Sequence, residues 1–380
     1  MRIYLDHNAT APLRPEARDA MLAFLGPPAN PSSAHREGAR ARAALEAARA
    51  EVAALVGAAP AEVVFTSGAT EANNLALRGA LARHAGGIVA TAIEHASVLE
   101  TARALGAPLA TVAVDADGVV PAADVIAACG PETALASVGL ANGEVGSVAP
   151  VGEIAVGLGG HGVVVHSDAA QAAGRIPIDV RALGVDLLSV SSHKLGGPGG
   201  AGALVVRGGV ALAACLTGGP QERERRAGTE NVAAIVGFGA AARVARERLD
   251  AERAHAAALV DTLWAGLRAR IPGLARNGPA EEPRLPNTLS LAVRGCVGET
   301  LVVLLDLDGV AASVGSACAA GAAEPSHVLL AMGRDRDTAR SALRLSVGPT
   351  TTAGDVERVI ELLPRLVAQV RGAARPGAAA

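Results

Sequence analysis

Asp186–Arg207, DLLSVSSHKLGGPGGAGALVVR, holds two apolar runs joined by a glycine-rich turn. Each run has the length and composition of a short buried strand, and the turn residues between them break any continuation. In that turn stands Lys194, the only lysine among the 34 Lys and Arg residues of the chain. Every generic role for a positive charge has gone to arginine, which keeps its proton in proteins. A lysine can be tuned to a neutral, nucleophilic amine. Lys194 is therefore a candidate for chemistry that arginine cannot perform, and a Schiff base to a carbonyl is the foremost such reaction.

Working outward, 380 residues suffice for two lobes or one large α/β core. Half the chain is apolar, but much of that is alanine, and no run approaches the ~20 apolar residues of a membrane span. The first residues, MRIYLDHNAT, place Asp6 and His7 where a signal peptide needs an apolar core. The expectation is a soluble, cytoplasmic protein with no membrane association. A net charge of −3 offers no basic field for nucleic acid. The few aromatics (Tyr4, Phe24, Phe65, Phe238 and Trp264) leave little with which to stack on bases. Cys129, Cys215, Cys296 and Cys318 are scattered without a C-x-x-C pair, so neither a cysteine-only metal site nor a disulfide framework is indicated. Cys129, in an Ala-rich helix, and Cys215 read as small buried hydrophobes.

Along the chain, apolar strands and Ala-rich helices alternate. A helix is expected to run to about Val56, capped by Ser32 or Ser33. VVFT (63–66) reads as a strand that turns at Ser67-Gly68 into a helix beginning with Ala69, Thr70 and Glu71. The alternation continues to GVVVHSDAA (162–170), a pattern that calls for a mainly parallel sheet covered by helices. Residues 230–270 read as one long helix joining two lobes. A smaller α+β lobe follows, with a frayed tail, ARPGAAA, at 374–380. The expected division is a large domain of residues 15–250 and a small one made of 1–14 and 251–380.

Three features fall at strand ends, where α/β sheets bind ligands. Gly68-Ala69-Thr70 is a glycine turn at a helix start, suited to a phosphate. Asp168 closes the buried strand VVVHS (163–167) with a carboxylate. Lys194 is the third. Together they meet the needs of pyridoxal 5'-phosphate: an amine for the aldehyde, an anion cradle, and a carboxylate that keeps the ring nitrogen protonated. With aromatics so scarce, His95 in AIEHAS is the available flat group to lie on the ring.

These stretches resemble the cysteine desulfurases of the nitrogen-fixation and iron–sulfur-cluster type, in the class V aminotransferase group of fold-type-I pyridoxal phosphate enzymes. The resemblance runs in order through YLDHNAT (4–10), NPSSAH (30–35), FTSGATEANNLAL (65–77), EHASV (94–98) and HSDAAQAAGRIPIDV (166–180). It continues through SVSSHKLGGPGGAGAL (189–204), GGPQERERRAGTEN (218–231), SVGSACAAGAAEPSHVLLAMG (313–333) and ALRLSVGPTT (342–351), covering nearly the whole chain. It implies that Lys194 carries the cofactor while Ala69, Thr70, Ser191 and His193 hold its phosphate. Asp168 would face the ring nitrogen and Gln171 the ring oxygen. His95 would stack on the ring and move protons, and Thr229 would reach the phosphate of a second subunit in a homodimer. Arg344 would bind the substrate carboxylate with its two-pronged donor geometry. Cys318, in a glycine-flanked segment expected to be a mobile loop, would take sulfur from L-cysteine as a persulfide and pass it to an acceptor protein.

The chain departs from the family pattern in Asn142-Gly143-Glu144, where two adjacent asparagines are usual. Either Asn142 compensates at the cofactor's ring oxygen, or Gln171 suffices, or the cofactor's electronics are weakened. Gly199 also replaces a usual lysine, and His7 a usual asparagine. The leading expectation is an L-cysteine desulfurase supplying iron–sulfur clusters, thio-cofactors or thiolated tRNA. The alternatives are a selenocysteine lyase or other class V aminotransferase, and a non-catalytic scaffold that binds a sulfur carrier.

Overall fold

The computed structural model of the chain describes residues 2–315 and 324–373. The expected cysteine loop around Cys318 and the expected tail at 374–380 lie outside the described residues. In chain order the strands are β1 (Ile3–Tyr4), β2 (Val63–Thr66), β3 (Gly87–Thr91), β4 (Leu109–Val112), β5 (Thr133–Ser137) and β6 (Val164–Asp168). They continue with β7 (Leu187–Ser191), β8 (Gly202–Val206), β9 (Leu274–Asn277), β10 (Thr288–Val293), β11 (Val310–Ala311) and β12 (Ala342–Ser346).

Seven strands form one sheet in the order β2-β8-β7-β6-β5-β3-β4. β7, β6, β5, β3 and β4 pair in parallel, whereas β8 runs antiparallel to both of its neighbours. The expectation of a mainly parallel sheet holds, and the exception is the hairpin that carries Lys194. Strands read as continuous apolar runs because both faces are covered. Val63, Phe65, Leu188, Val190 and Val205 pack with the helices Arg36–Val56 and Val232–Glu247. The alternate residues Val64, Leu187, Leu204 and Val206 pack with the helices Ala69–Leu81 and Ala96–Ala104. β2, β3, β5, β6 and β7 therefore all end at one edge of the sheet.

A second core is built around the antiparallel sheet β12-β10-β9. Leu291 and Leu343 of that sheet pack with Leu263 and Leu267 of the helix Leu249–Arg270 and with Leu363 of the helix Ala353–Ala373. Ile3 and Leu5 join this core, and β1 pairs in parallel with β11. The edge strand β9 was not foreseen, since LARN has no apolar alternation and only Asn277 is buried. No described helix is long and apolar enough to cross a membrane.

Two local expectations are corrected. Residues 230–270 form two helices rather than one, broken at Arg248 (φ −106°, ψ 6°). The first helix packs into the large core and the second into the small one, and no single straight axis serves both. The N-cap of Arg36–Val56 is His35, whose Nδ1 accepts the Gly38 N–H at 3.3 Å, not Ser32 or Ser33. Those serines are held in a turn by Asn30, whose side chain accepts from the Ser32 N–H and whose carbonyl accepts from that of Ser33.

The segment leading to Thr229 is anchored by a buried ion pair. Arg49 meets Glu222 through two bonds of 2.7 and 2.8 Å, and Glu222 also accepts the Phe65 N–H at 2.7 Å. Glu222, Arg223 and Glu224 adopt φ of 46°, 58° and 62°, a left-handed run that non-glycine residues enter at a cost. Removing one partner strands the other charge, so Glu222→Ala is expected to cost roughly 3–5 kcal/mol in urea unfolding. Arg226→Ala, which breaks the partly buried pair with Glu71, should cost less, about 1 kcal/mol, in the same measurement.

Candidate active site

A cavity of about 740 Å³ opens at the edge where the parallel strands end. Lys194 reaches it from a short 3-10 turn, Ser192–Lys194, directly after β7. Its Nζ donates to the carbonyls of Asn8 and Ala9 at 2.5 and 2.9 Å. Burial, reinforced by the nearby cations Arg175 and Arg344, pulls its pKa down to about 8. The amine is thus far closer to its neutral form at physiological pH than a surface lysine. His193 beside it is hydrogen-bonded through Nδ1 to Thr10 Oγ1 at 3.1 Å. Burial and the Lys194 charge press its pKa to about 4, which leaves the ring neutral.

The helix Ala69–Leu81 starts at Gly68, which supplies no side-chain cap. The N–H groups of Ala69, Thr70 and Glu71 therefore have no acceptor within the helix, and all three residues line the cavity. A Cβ at Gly202 would stand 2.6 Å from the Gly68 backbone, so β8 and this turn touch main chain to main chain. Ser191, at the end of β7, lines the same wall. Asp168, at the end of β6, is held by the Asn73 amide at Oδ2 (2.7 Å) and by the Ala170 N–H at Oδ1 (2.8 Å).

Gln171 donates from Nε2 to the Asn8 carbonyl at 3.1 Å and accepts from Arg175 at Oε1. Arg175 thereby fixes which end of the amide faces the cavity, and one Nε2 proton stays available there. A Cβ at Gly143 would fall 2.5 Å from Gln171 Nε2, so the unusual glycine leaves room that this amide fills. Asn142 lines the cavity. Its side chain is committed to the backbone, accepting from Glu144 N and Val145 N and donating to the Ile93 carbonyl at 3.2 Å. Arg344, buried on β12, donates to Asp6 at 2.8 Å and to the Gly143 carbonyl at 3.1 Å, with Nε left unpartnered.

The fold thus brings Lys194, His95, Ala69, Thr70, Asn142, Asp168, Gln171, Ser191, His193 and Arg344 around one cavity. Thr229 is exposed and does not line it. Cys318 lies outside the described residues. Cys215 is exposed, contrary to the buried role expected of it, while Cys129 is buried and its thiol pushed up to about 11. Among the described residues no group of His, Cys, Asp or Glu is placed to hold a metal ion.

Several contributors had no distinct signal in the sequence. Asn8, almost fully buried, ties the two cores together by donating to Gly143 O (2.9 Å) and Thr288 Oγ1 (2.8 Å) while its carbonyl holds Lys194. Glu94 is buried in the cavity wall, bonded to Thr91 Oγ1 at 2.6 Å, and burial raises its pKa to about 7. His327 reaches the Glu94 carbonyl at 3.1 Å.

The profile of the family described as "Aminotransferase class-V" matches residues 3–359. The chain belongs to the class V aminotransferases. Among this family's members it is 43% identical, across 99% of both chains, to the "IscS-like cysteine desulfurase" of Mycobacterium tuberculosis. It is also 43% identical to the "Cysteine desulfurase" of Gluconacetobacter diazotrophicus, over 97% of this chain and 94% of that one. A solved "NIFS-LIKE PROTEIN" superposes with a TM-score of 0.91 at 35% identity, covering 97% of this chain and 100% of the other. A structure titled "SspA in complex with cysteine" gives a TM-score of 0.81 at 33% identity, covering 93% and 100%.

In this class V aminotransferase the only lysine has its proton loosened. In protein freed of any bound aldehyde, modification of the peptide containing Lys194 by a small amine-reactive probe should follow deprotonation with a midpoint near 8. A midpoint near the ordinary lysine value of roughly 10.4 would contradict the electrostatics described here.

Proposed function

We propose that the chain is a pyridoxal 5'-phosphate-dependent L-cysteine desulfurase. It releases L-alanine and leaves the sulfur as a persulfide on Cys318, for delivery to an acceptor serving iron–sulfur cluster, thio-cofactor or tRNA thiolation pathways. The observation that carries the reading is the solitary lysine, loosened to about pH 8, in one cavity with a carboxylate and an uncapped helix start.

The donor set suits the cofactor. The first-turn N–H groups at Ala69 and Thr70, with the Ser191 hydroxyl and His193, would hold a phosphate at a helix N-terminus. Asp168 would hold the ring nitrogen, and the remaining Nε2 proton of Gln171 the ring oxygen. His95, exposed on the cavity wall, would lie on the ring. When bound, the cofactor supplies an electron sink that makes bonds at the substrate's α-carbon labile. Lys194 would provide the amine that binds the aldehyde and a base for the α-proton. Arg344, with Nε unpartnered, would take the substrate carboxylate and orient the thiol. The Cys318 thiolate would then attack the substrate sulfur. The carbon–sulfur bond breaks with its electron pair left on carbon, a new sulfur–sulfur bond forms, and protonation gives alanine.

Gly143, the one feature that spoke for a non-catalytic scaffold, has its vacated space taken by the Gln171 amide. The exposed position of Thr229, away from this chain's own cavity, supports its service to a second copy in a homodimer.

Incubation with L-cysteine and a thiol reductant should yield alanine and sulfide in equal amounts. Lys194→Ala should lose the cofactor's visible absorbance and all turnover. Cys318→Ser should keep the absorbance and lose sulfide release. Full sulfur transfer by the serine variant would remove the persulfide role.

A further inference from the structure

Asn73 sits in the second turn of the helix Ala69–Leu81 and is fully buried. Its Nδ2 donates twice, to Asp168 Oδ2 at 2.7 Å and to Ser97 Oγ at 2.8 Å, while its Oδ1 has no partner at all. A buried amide oxygen without a donor is costly, and rotating the amide would not repair it, because Oδ1 would then face a carboxylate that only accepts. The orientation is therefore dictated by Asp168.

The second donation sets the rest of the chain. Ser97 Oγ already accepts from Asn73, so its own proton is free to go to His95 Nδ1, 2.7 Å away. The Ser97 backbone N–H points at the same nitrogen from 3.1 Å. Nδ1 of His95 is thus the accepting nitrogen, which leaves Nε2 as the one that carries a proton. Three elements, the end of β6 and the starts of the helices Ala69–Leu81 and Ala96–Ala104, are joined through one amide.

We propose that Asn73 is a positioning residue that holds the Asp168 carboxylate aimed into the cavity, and through Ser97 ties it to His95. This rests on the reading above that Asp168 holds the ring nitrogen of pyridoxal phosphate. Asn73 does not line the cavity and acts through Asp168. The two donations from one nitrogen are what distinguish this arrangement from ordinary packing: a leucine there would fill the space but leave Asp168 Oδ2 without its amide donor.

The test compares binding of pyridoxal 5'-phosphate and of its 1-deaza analogue, which lacks the ring nitrogen, to the cofactor-free protein by equilibrium dialysis. Asn73→Leu should weaken the natural cofactor about tenfold, close to 1.4 kcal/mol, and leave the analogue within about twofold. Asn73→Ser, which shortens the reach without adding apolar bulk, should behave alike and serves if the leucine variant does not fold. Asp168→Ala is the control and should discriminate between the two ligands in the same direction. Equal weakening of both ligands by the Asn73 variants, or none, overturns the proposal. If Asp168→Ala fails to discriminate, the assignment of Asp168 itself falls and the role of Asn73 with it. If Asp168→Ala discriminates and the Asn73 variants do not, only the role of Asn73 is lost.

Discussion

One amine, Nζ of Lys194, is held against two main-chain carbonyls within the field of two guanidinium groups, and the rest of the site is arranged around keeping it there. Low solvation and like charge both disfavour its proton, while the carbonyls of Asn8 and Ala9 fix its position. Arg175 contributes to both effects. It donates to the Lys194 carbonyl at 3.3 Å and to the His7 carbonyl at 2.9 Å, so the cation that loosens the proton also fastens the turn.

The antiparallel hairpin β7–β8 is what makes that placement possible. In a wholly parallel sheet the chain would leave β7 through a crossover helix. Here it turns back at once, and the turn itself lies at the edge where β2, β3, β5 and β6 also deliver their final residues. Phosphate-binding turn, carboxylate, histidine and lysine therefore converge without any one loop being long. The N-terminal segment closes the arrangement from the small core's side, with Arg14 bonded to Glu252 through two 2.7 Å contacts and to the Leu195 carbonyl at 2.9 Å.

Polar groups in the cavity wall are shared rather than duplicated. Asn8 serves Lys194, Gln171, Gly143 and Thr288, and Asn73 serves Asp168 and Ser97. Such sharing makes the geometry rigid, since each amide can satisfy its partners in one orientation only. The same logic accounts for Gly143: the space given up there is used by the Gln171 amide, whose direction Arg175 fixes.

Lys194, Asp168 and the turn at Gly68 were legible in the sequence because each is a rare residue type, or a backbone break, at the end of an apolar run. The sheet and most of its helices followed from the same alternation. Asn73, Asn8 and Glu94 carried no such mark, for an asparagine inside a helix or a glutamate in a turn looks like any solvated polar residue until its neighbours are known. β9 lacked a pattern because an edge strand buries little. The break at Arg248 arose from two cores that one straight helix cannot serve. Local chemistry and periodicity thus determined which residues could react and what layers would enclose them. Only tertiary packing decided which nitrogen each amide offers and how far the lysine's proton is loosened, because hydrogen-bond direction and desolvation depend on atoms brought together from distant parts of the chain.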